Sequence, residues 1–137
     1  MVEGRSDAAS GGRIRYGMVG GGQGAFIGAV HRLAARMDDQ YEFVAGALSS
    51  DRKRAIASAE ELGLPKDRSY GSYEEMAKAE ANRPDGIEAV SIVTPNHMHA
   101  PVATAFLNAG IHVICDKPLS LTAAEARDLV KLTKKTG

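Results

Sequence analysis

Three stretches of the chain carry residue types that can do chemistry. The first is "GMVGGGQGAFIGAVHR", residues 17–32, which crowds six glycines into twelve positions and then turns apolar and helix-like. Glycine turns the backbone tightly and lets a phosphate approach without meeting a Cβ. A helix starting just beyond offers N–H groups without acceptors and the positive end of its dipole. The chemistry is therefore anion binding, and Gly20 and Gly22 supply the G-x-G of a dinucleotide fingerprint. Standard spacing puts Ala25 at the third position, where Gly or Ala permits close helix–strand packing. In the other register Gln23, Gly24 and Ala25 form a small insertion and Gly28 takes the packing role. The expected cofactor-binding residues of this stretch are Gly20, Gly22, Gln23, Gly24, Ala25, Phe26 and Ile27.

The second stretch, "ALSSDRKR", ends the next apolar run. An Asp or Glu at such a place bonds the ribose 2′-hydroxyl of NAD. Ser49 and Ser50 stand there instead, with Arg52, Lys53 and Arg54 close behind. Hydroxyls and a guanidinium suit a 2′-phosphate, which a carboxylate would repel. Ser49, Ser50 and Arg54 thus point to NADP, with NAD as the other cofactor, although Asp51 complicates the charge. The third stretch runs from "TPNHMH" to "CDKPLS", residues 94–120. A lysine at a strand's carboxyl end, followed by a proline that fixes the turn, can carry a binding or catalytic ammonium. That lysine is Lys117.

These stretches need a scaffold, and the rest of the sequence supplies one. Apolar residues at Ile27, Val30, Leu33, Ala34 and Met37 make one face of a helix over residues 25–37. Short apolar runs at residues 13–21, 41–48, 87–94 and 111–116 read as strands. Helices are expected between them: one after Asp51 ending at Gly63, one capped by Ser72 with Glu75, and one over residues 101–109. A last helix is capped by Thr122 with Glu125 at the capping-box position. Strands separated by helices imply an α/β fold, a doubly wound parallel sheet with helices on both faces. Residues 1–12 read as a disordered tail and residues 13–137 as one dinucleotide-binding domain. A strand is expected after the last helix, so the chain reads as the first part of a longer two-domain protein.

Composition excludes several classes. Acidic and basic residues balance at 17 each, which gives no bulk attraction to nucleic acid or membrane. No apolar run approaches a membrane span. The single cysteine, Cys115, permits no disulfide framework within the chain and suits a reducing cytoplasm. Set in an apolar strand, it reads as a small buried hydrophobe. His31, His97, His99 and His112 lack the companion ligands of a zinc site, and no metal is expected. His31 reads as structural, and His97 and His99 are not read as catalytic.

Taken together, "GMVGGGQGAFIGAVH" and "SIVTPNHMHAPVATAFLNAGIHVICDKPLS" resemble the N-terminal domain of the Gfo/Idh/MocA oxidoreductases, the family of glucose–fructose oxidoreductase and inositol dehydrogenase. The resemblance spans residues 13–137. It implies that Thr94, Pro95, Asn96 and His99 match the stretch lining the nicotinamide side of the cofactor. It further implies that Asp116, Lys117 and Pro118 match an E-K-P motif whose lysine reaches the substrate and cofactor. Aspartate replaces the usual glutamate, keeping the acid one methylene shorter. The implied full-length protein is a homo-oligomeric enzyme moving a hydride between NADP(H) or NAD(H) and a sugar, polyol or related hydroxyl compound. A C-terminal domain, absent from these residues, supplies the substrate pocket, so the domain alone is expected to be inactive. The competing expectation is a non-catalytic dinucleotide-binding or sensor module. Less favoured is a site for another nucleotide, such as a nucleotide-sugar.

Overall fold

The computed structural model describes residues 12–137, so apart from Gly12 the expected N-terminal tail lies outside the described residues. Four strands, β1 (Ile14–Gly20), β2 (Tyr41–Ala47), β3 (Ala89–Val93) and β4 (His112–Cys115), pair in parallel in the order β2-β1-β3-β4. Five helices connect or follow them: α1 (Phe26–Arg36), α2 (Arg52–Glu61), α3 (Tyr73–Ala81), α4 (His99–Asn108) and α5 (Ala123–Thr136). A parallel bridge between Gly46 and Ser69 adds the stub of a further strand outside β2. The chain then returns through α3 to β3 on the other side of β1. This is the expected doubly wound α/β sheet.

Strand alternation sorts the core into two layers. Met18 packs with Leu48, Ala59, Leu64 and Val93, with Ile27 of α1 against them. Val19, its neighbour on β1, turns the other way into Met76, Val90, Ile92, Val102, Phe106 and Leu129. β3 is buried at all five positions, as its unbroken apolar and small residues demand of a central parallel strand.

The caps at Asp51, Ser72 and Thr122 form as expected, and Thr122 with Glu125 completes the reciprocal capping box. The helix expected over residues 101–109 begins two residues earlier, at His99, after a 3-10 turn over Asn96–Met98. Pro101 therefore sits inside the first helical turn. Its missing N–H costs nothing there, because first-turn amides have no intrahelical acceptor.

One polar cluster in the core has no signature in the periodicity. Glu80 of α3 is fully buried and pairs with the guanidinium of Arg68. It also accepts from the Tyr70 hydroxyl at 2.8 Å and the Ile87 amide at 3.0 Å. Both carboxylate oxygens are thus satisfied, as a buried charge requires.

Candidate functional site

The carboxyl ends of β1, β2 and β3 open on a cleft of about 510 Å³. It lies where the chain order reverses beside β1, the place where open parallel sheets bind ligands. Gly20, Gly21 and Val93 line its base. Ser49 and Ser50 follow β2, Gly71 and Ser72 lead into α3, Tyr73 and Glu74 open it, and Thr94, Pro95, His97 and Met98 follow β3.

The glycines are required by space as well as by backbone conformation. A Cβ on Gly20 would lie 2.9 Å from the Val93 carbonyl, and Gly20 and Gly21 have φ of +82° and +76°. A Cβ on Gly22 would lie 2.6 Å from the Leu48 carbonyl oxygen. On Gly28 it would come within 2.6 Å of the Gly21 Cα. Gly28 therefore carries the packing of α1 on the glycine turn. The Ala25 amide closes the turn on the Gly22 carbonyl at 3.0 Å, and bonds to neighbouring elements hold it. The Gly22 amide donates to the Leu48 carbonyl at 3.0 Å, the Gln23 amide to Ser58 Oγ at 3.0 Å, and Arg32 to the Gly21 carbonyl at 3.1 Å.

Helix α1 starts with Ala25 as its N-cap, with no side-chain cap and no acidic residue in its first turn. Ala25 lines the cleft, so the first-turn amides and the positive end of α1 lie at its edge. A side-chain-free cradle leading to an uncapped helix N-terminus fits a pyrophosphate. By this chemistry the residues present fit a dinucleotide.

The expected contact residues divide into groups. Gly20, Ala25, Ser49, Ser50, Thr94 and Pro95 line the cleft, whereas Gly22 is off the lining, packed against Leu48 and Ser58. Gly24 is exposed, with φ of +78° and open space around it. The Gln23 side chain donates to Glu61 of α2, Phe26 is 82% exposed, and Ile27 packs on the core. Asn96 is exposed in the 3-10 turn, whereas its neighbour His97 is on the lining. At the end of β2, Asp51 accepts from the Arg54 amide at 2.8 Å, which commits its charge to the start of α2. Arg52 pairs with Glu75 of α3, and that bond holds the Glu75 carboxyl below its usual range. Arg54 is exposed on α2.

His99 lies beneath the cleft, 1% exposed. Its Nδ1 is 2.6 Å from the Pro118 carbonyl and its Nε2 3.0 Å from the Thr94 carbonyl. The ring thus ties the loop after β3 to the turn bearing Lys117. Lys117 is exposed on that turn. Asp116 faces back to α1, with Oδ1 3.3 Å from His31 Nε2, while His31 Nδ1 meets Ser91 Oγ at 2.8 Å. Burial pushes the Cys115 thiol up, and the Asp116 charge adds to this.

Sequence reasoning missed Ser58, Arg32 and the stretch from Gly71 to Glu74. Ser72 was legible as a helix cap but not as a cleft wall. Arg32, one turn beyond Gly28 on α1, carried a usable signal: a cation at that spacing reaches back over the glycine turn. Ser58 carried none, because its role depends on α2 crossing behind the turn. Among the described residues no group of three or more metal-ligating side chains gathers, and no helix is long and apolar enough to cross a membrane.

The model of an oxidoreductase family with an NAD-binding Rossmann fold, GFO_IDH_MocA, matches residues 14–137. An oxidoreductase structure from Sinorhizobium meliloti is 60% identical, with a TM-score of 0.84, over 90% of this chain and 34% of that one. An inositol dehydrogenase homolog from Azotobacter vinelandii, complexed with NADH and myo-inositol, is 43% identical. Its TM-score is 0.88, over 90% of this chain and 33% of that one. The D-xylose 1-dehydrogenase (NADP(+)) 2 of Haloferax volcanii is 40% identical over 101 residues, 74% of this chain and 29% of its own length. The chain spans about a third of the length of the curated relatives it matches, 30% to 34% for three of them.

Proposed function

The chain belongs to the GFO_IDH_MocA oxidoreductase family, whose NAD-binding Rossmann fold it forms, and from that premise we propose how its cleft serves a reaction on a sugar or polyol hydroxyl. The observation that carries the proposal is the cradle of Gly20, Gly21 and Gly22 against the uncapped start of α1. There the pyrophosphate of a nicotinamide dinucleotide meets the first-turn amides of α1 and the helix dipole, over glycines that put no side chain in its way. Ser49 and Ser50 take the adenosine ribose. Thr94, Pro95 and His97 line the nicotinamide half, and Asn96 stands at its rim. When bound, the dinucleotide supplies the hydride chemistry. Lys117 orients the substrate hydroxyl and stabilises negative charge developing on its oxygen. His99 acts beneath them by holding the loop and the lysine turn together.

The proposed substrate class is supported by relatives named for myo-inositol and D-xylose. The substrate pocket is assigned to a further domain outside these residues, through which the full-length protein forms a homo-oligomer. The proposed compartment is the cytoplasm, in keeping with the lone cysteine. NADP is the proposed preference. No carboxylate stands at Ser49 or Ser50, Asp51 is committed to capping α2, and Arg54 supplies a cation nearby. Relatives named with NADH and with NADP(+) occur on this fold.

Calorimetric titration of the purified chain with NADP⁺ and NAD⁺ at one salt concentration tests this. NADP⁺ is expected to bind at least about tenfold tighter, roughly 1.4 kcal/mol, and Arg54→Ala to abolish the difference. Equal or tighter binding of NAD⁺ would reverse the cofactor assignment. Binding of neither would remove the dinucleotide site itself.

A further inference from the structure

We propose that His31 is a positioning residue for Lys117, acting through Asp116. The inference rests on the assignment of Lys117 to the nicotinamide half of the cleft.

His31 stands on α1, distant in sequence from the lysine, yet it bridges β3 and the start of the lysine turn. Its Nε2 lies 3.3 Å from Asp116 Oδ1 and its Nδ1 2.8 Å from Ser91 Oγ. A carboxylate only accepts, so Nε2 is the donor. In the neutral ring Nδ1 is then the acceptor, and Ser91 donates its hydroxyl proton. The chain runs one way, Ser91 to His31 to Asp116, and fixes the tautomer from both ends. Ser91 is 3% exposed at the centre of β3, which makes it a rigid anchor.

Asp116 is therefore held twice. Its amide donates to the Ile92 carbonyl at 3.0 Å, which continues the β3–β4 ladder, and its side chain is held by α1. On the other side of Lys117, the Pro118 carbonyl meets His99. Lys117 thus lies between two anchored residues, on a turn fixed from opposite faces of the sheet. Asp116 is 25% exposed at its side chain, and water alone would solvate its carboxylate. A hydrogen bond so exposed contributes little to stability. Its consequence is geometric: it fixes the direction in which the turn leaves β4, and so where the lysine ammonium is delivered.

The experiment measures protection of Lys117 against acetic anhydride, read by mass spectrometry, with NAD⁺ as probe and ADP-ribose as a control lacking the nicotinamide. In the unaltered chain NAD⁺ is expected to slow Lys117 acylation about fivefold or more and ADP-ribose hardly at all, a difference of about 1 kcal/mol. In His31→Ala, NAD⁺ is expected to bind within about threefold of the unaltered chain while the protection is lost. His31→Gln, which keeps a donor toward Asp116, should restore it. Asp116→Ala provides the same test from the partly exposed end should His31→Ala fail to fold.

A purely structural histidine would lower the melting temperature and the affinity for both ligands together, without separating protection from binding; that result overturns the proposal. So does full protection in Asp116→Ala. If NAD⁺ binds the unaltered chain without protecting Lys117, the placement of the lysine at the nicotinamide fails first. If neither NAD⁺ nor NADP⁺ binds, the cleft assignment fails; if only NADP⁺ binds, it replaces NAD⁺ as the probe. Both failures differ from loss of protection in the variants alone.

Discussion

Replacing Gly28 by alanine should weaken dinucleotide binding and, by a separate balance of two effects, lower the stability of the fold by about 2 kcal/mol at most. Two effects oppose each other in stability. Alanine is about 1 kcal/mol better than glycine inside a helix. The new Cβ, however, would lie 2.6 Å from the Gly21 Cα, where ordinary contact begins at 3.4 Å. The obstacle is backbone, which has no rotamer to change, so α1 must retreat by about 0.8 Å from the turn. Overpacking of this kind costs about 1–3 kcal/mol. The net loss of stability is therefore about 0–2 kcal/mol. The same retreat draws the α1 N-terminus from the pyrophosphate and forfeits about 1–2 kcal/mol of helix–anion interaction, a five- to thirtyfold loss of affinity. Urea denaturation and calorimetric titration with NAD⁺ read the two quantities separately. Gly24→Ala is the control: its Cβ meets nothing within 4 Å, but its φ of +78° strains any L side chain. It should lose about 1–2 kcal/mol of stability. If Gly28→Ala binds NAD⁺ as tightly as the unaltered chain, close packing at Gly28 does not set the position of the phosphate-facing amides.

Ser58→Ala removes the acceptor of the Gln23 amide and should cost about 1 kcal/mol in urea denaturation, with a several-fold weaker NAD⁺ affinity; unchanged affinity would make the bond irrelevant to the shape of the turn. Glu80→Ala leaves the buried Arg68 guanidinium with only its contacts to Asp85 and should cost about 3–5 kcal/mol by the same assay, far more than loss of the exposed Arg52–Glu75 pair in Glu75→Ala. Burial raises the Cys115 thiol above its ordinary 9.0, and burial with the Glu80 hydrogen bond raises the Tyr70 hydroxyl above its ordinary 10.0. Both folded-state values lie above the unfolded ones. Their contribution to stability is therefore complete at neutral pH and is lost as pH rises past these ordinary values. A urea midpoint that does not fall between pH 8.5 and 10.5 would contradict this.

The fold was legible because each element carried its own local signal: β3 in an unbroken apolar run, α1 in its 3.6-residue period, and α2, α3 and α5 in their caps. The boundaries that shifted did so for local steric reasons, as at α4, where proline is tolerated two residues inside the start. The ends of the first three strands were legible as cleft walls because a parallel α/β sheet puts its strand ends together by topology. The supports beneath the cleft were not, because they are contacts between elements whose separation in sequence has no period. Ser58 reaches the glycine turn from α2, and His31 reaches Asp116 across 85 residues. His99 shows the difference most sharply. The T-P-N-x-x-H pattern marks it as a site residue, yet its ring lies below the lining, 1% exposed, against two carbonyls. A motif marks that a residue is needed. Only the packed structure distinguishes a side chain that faces a ligand from one that holds in place the chain that does.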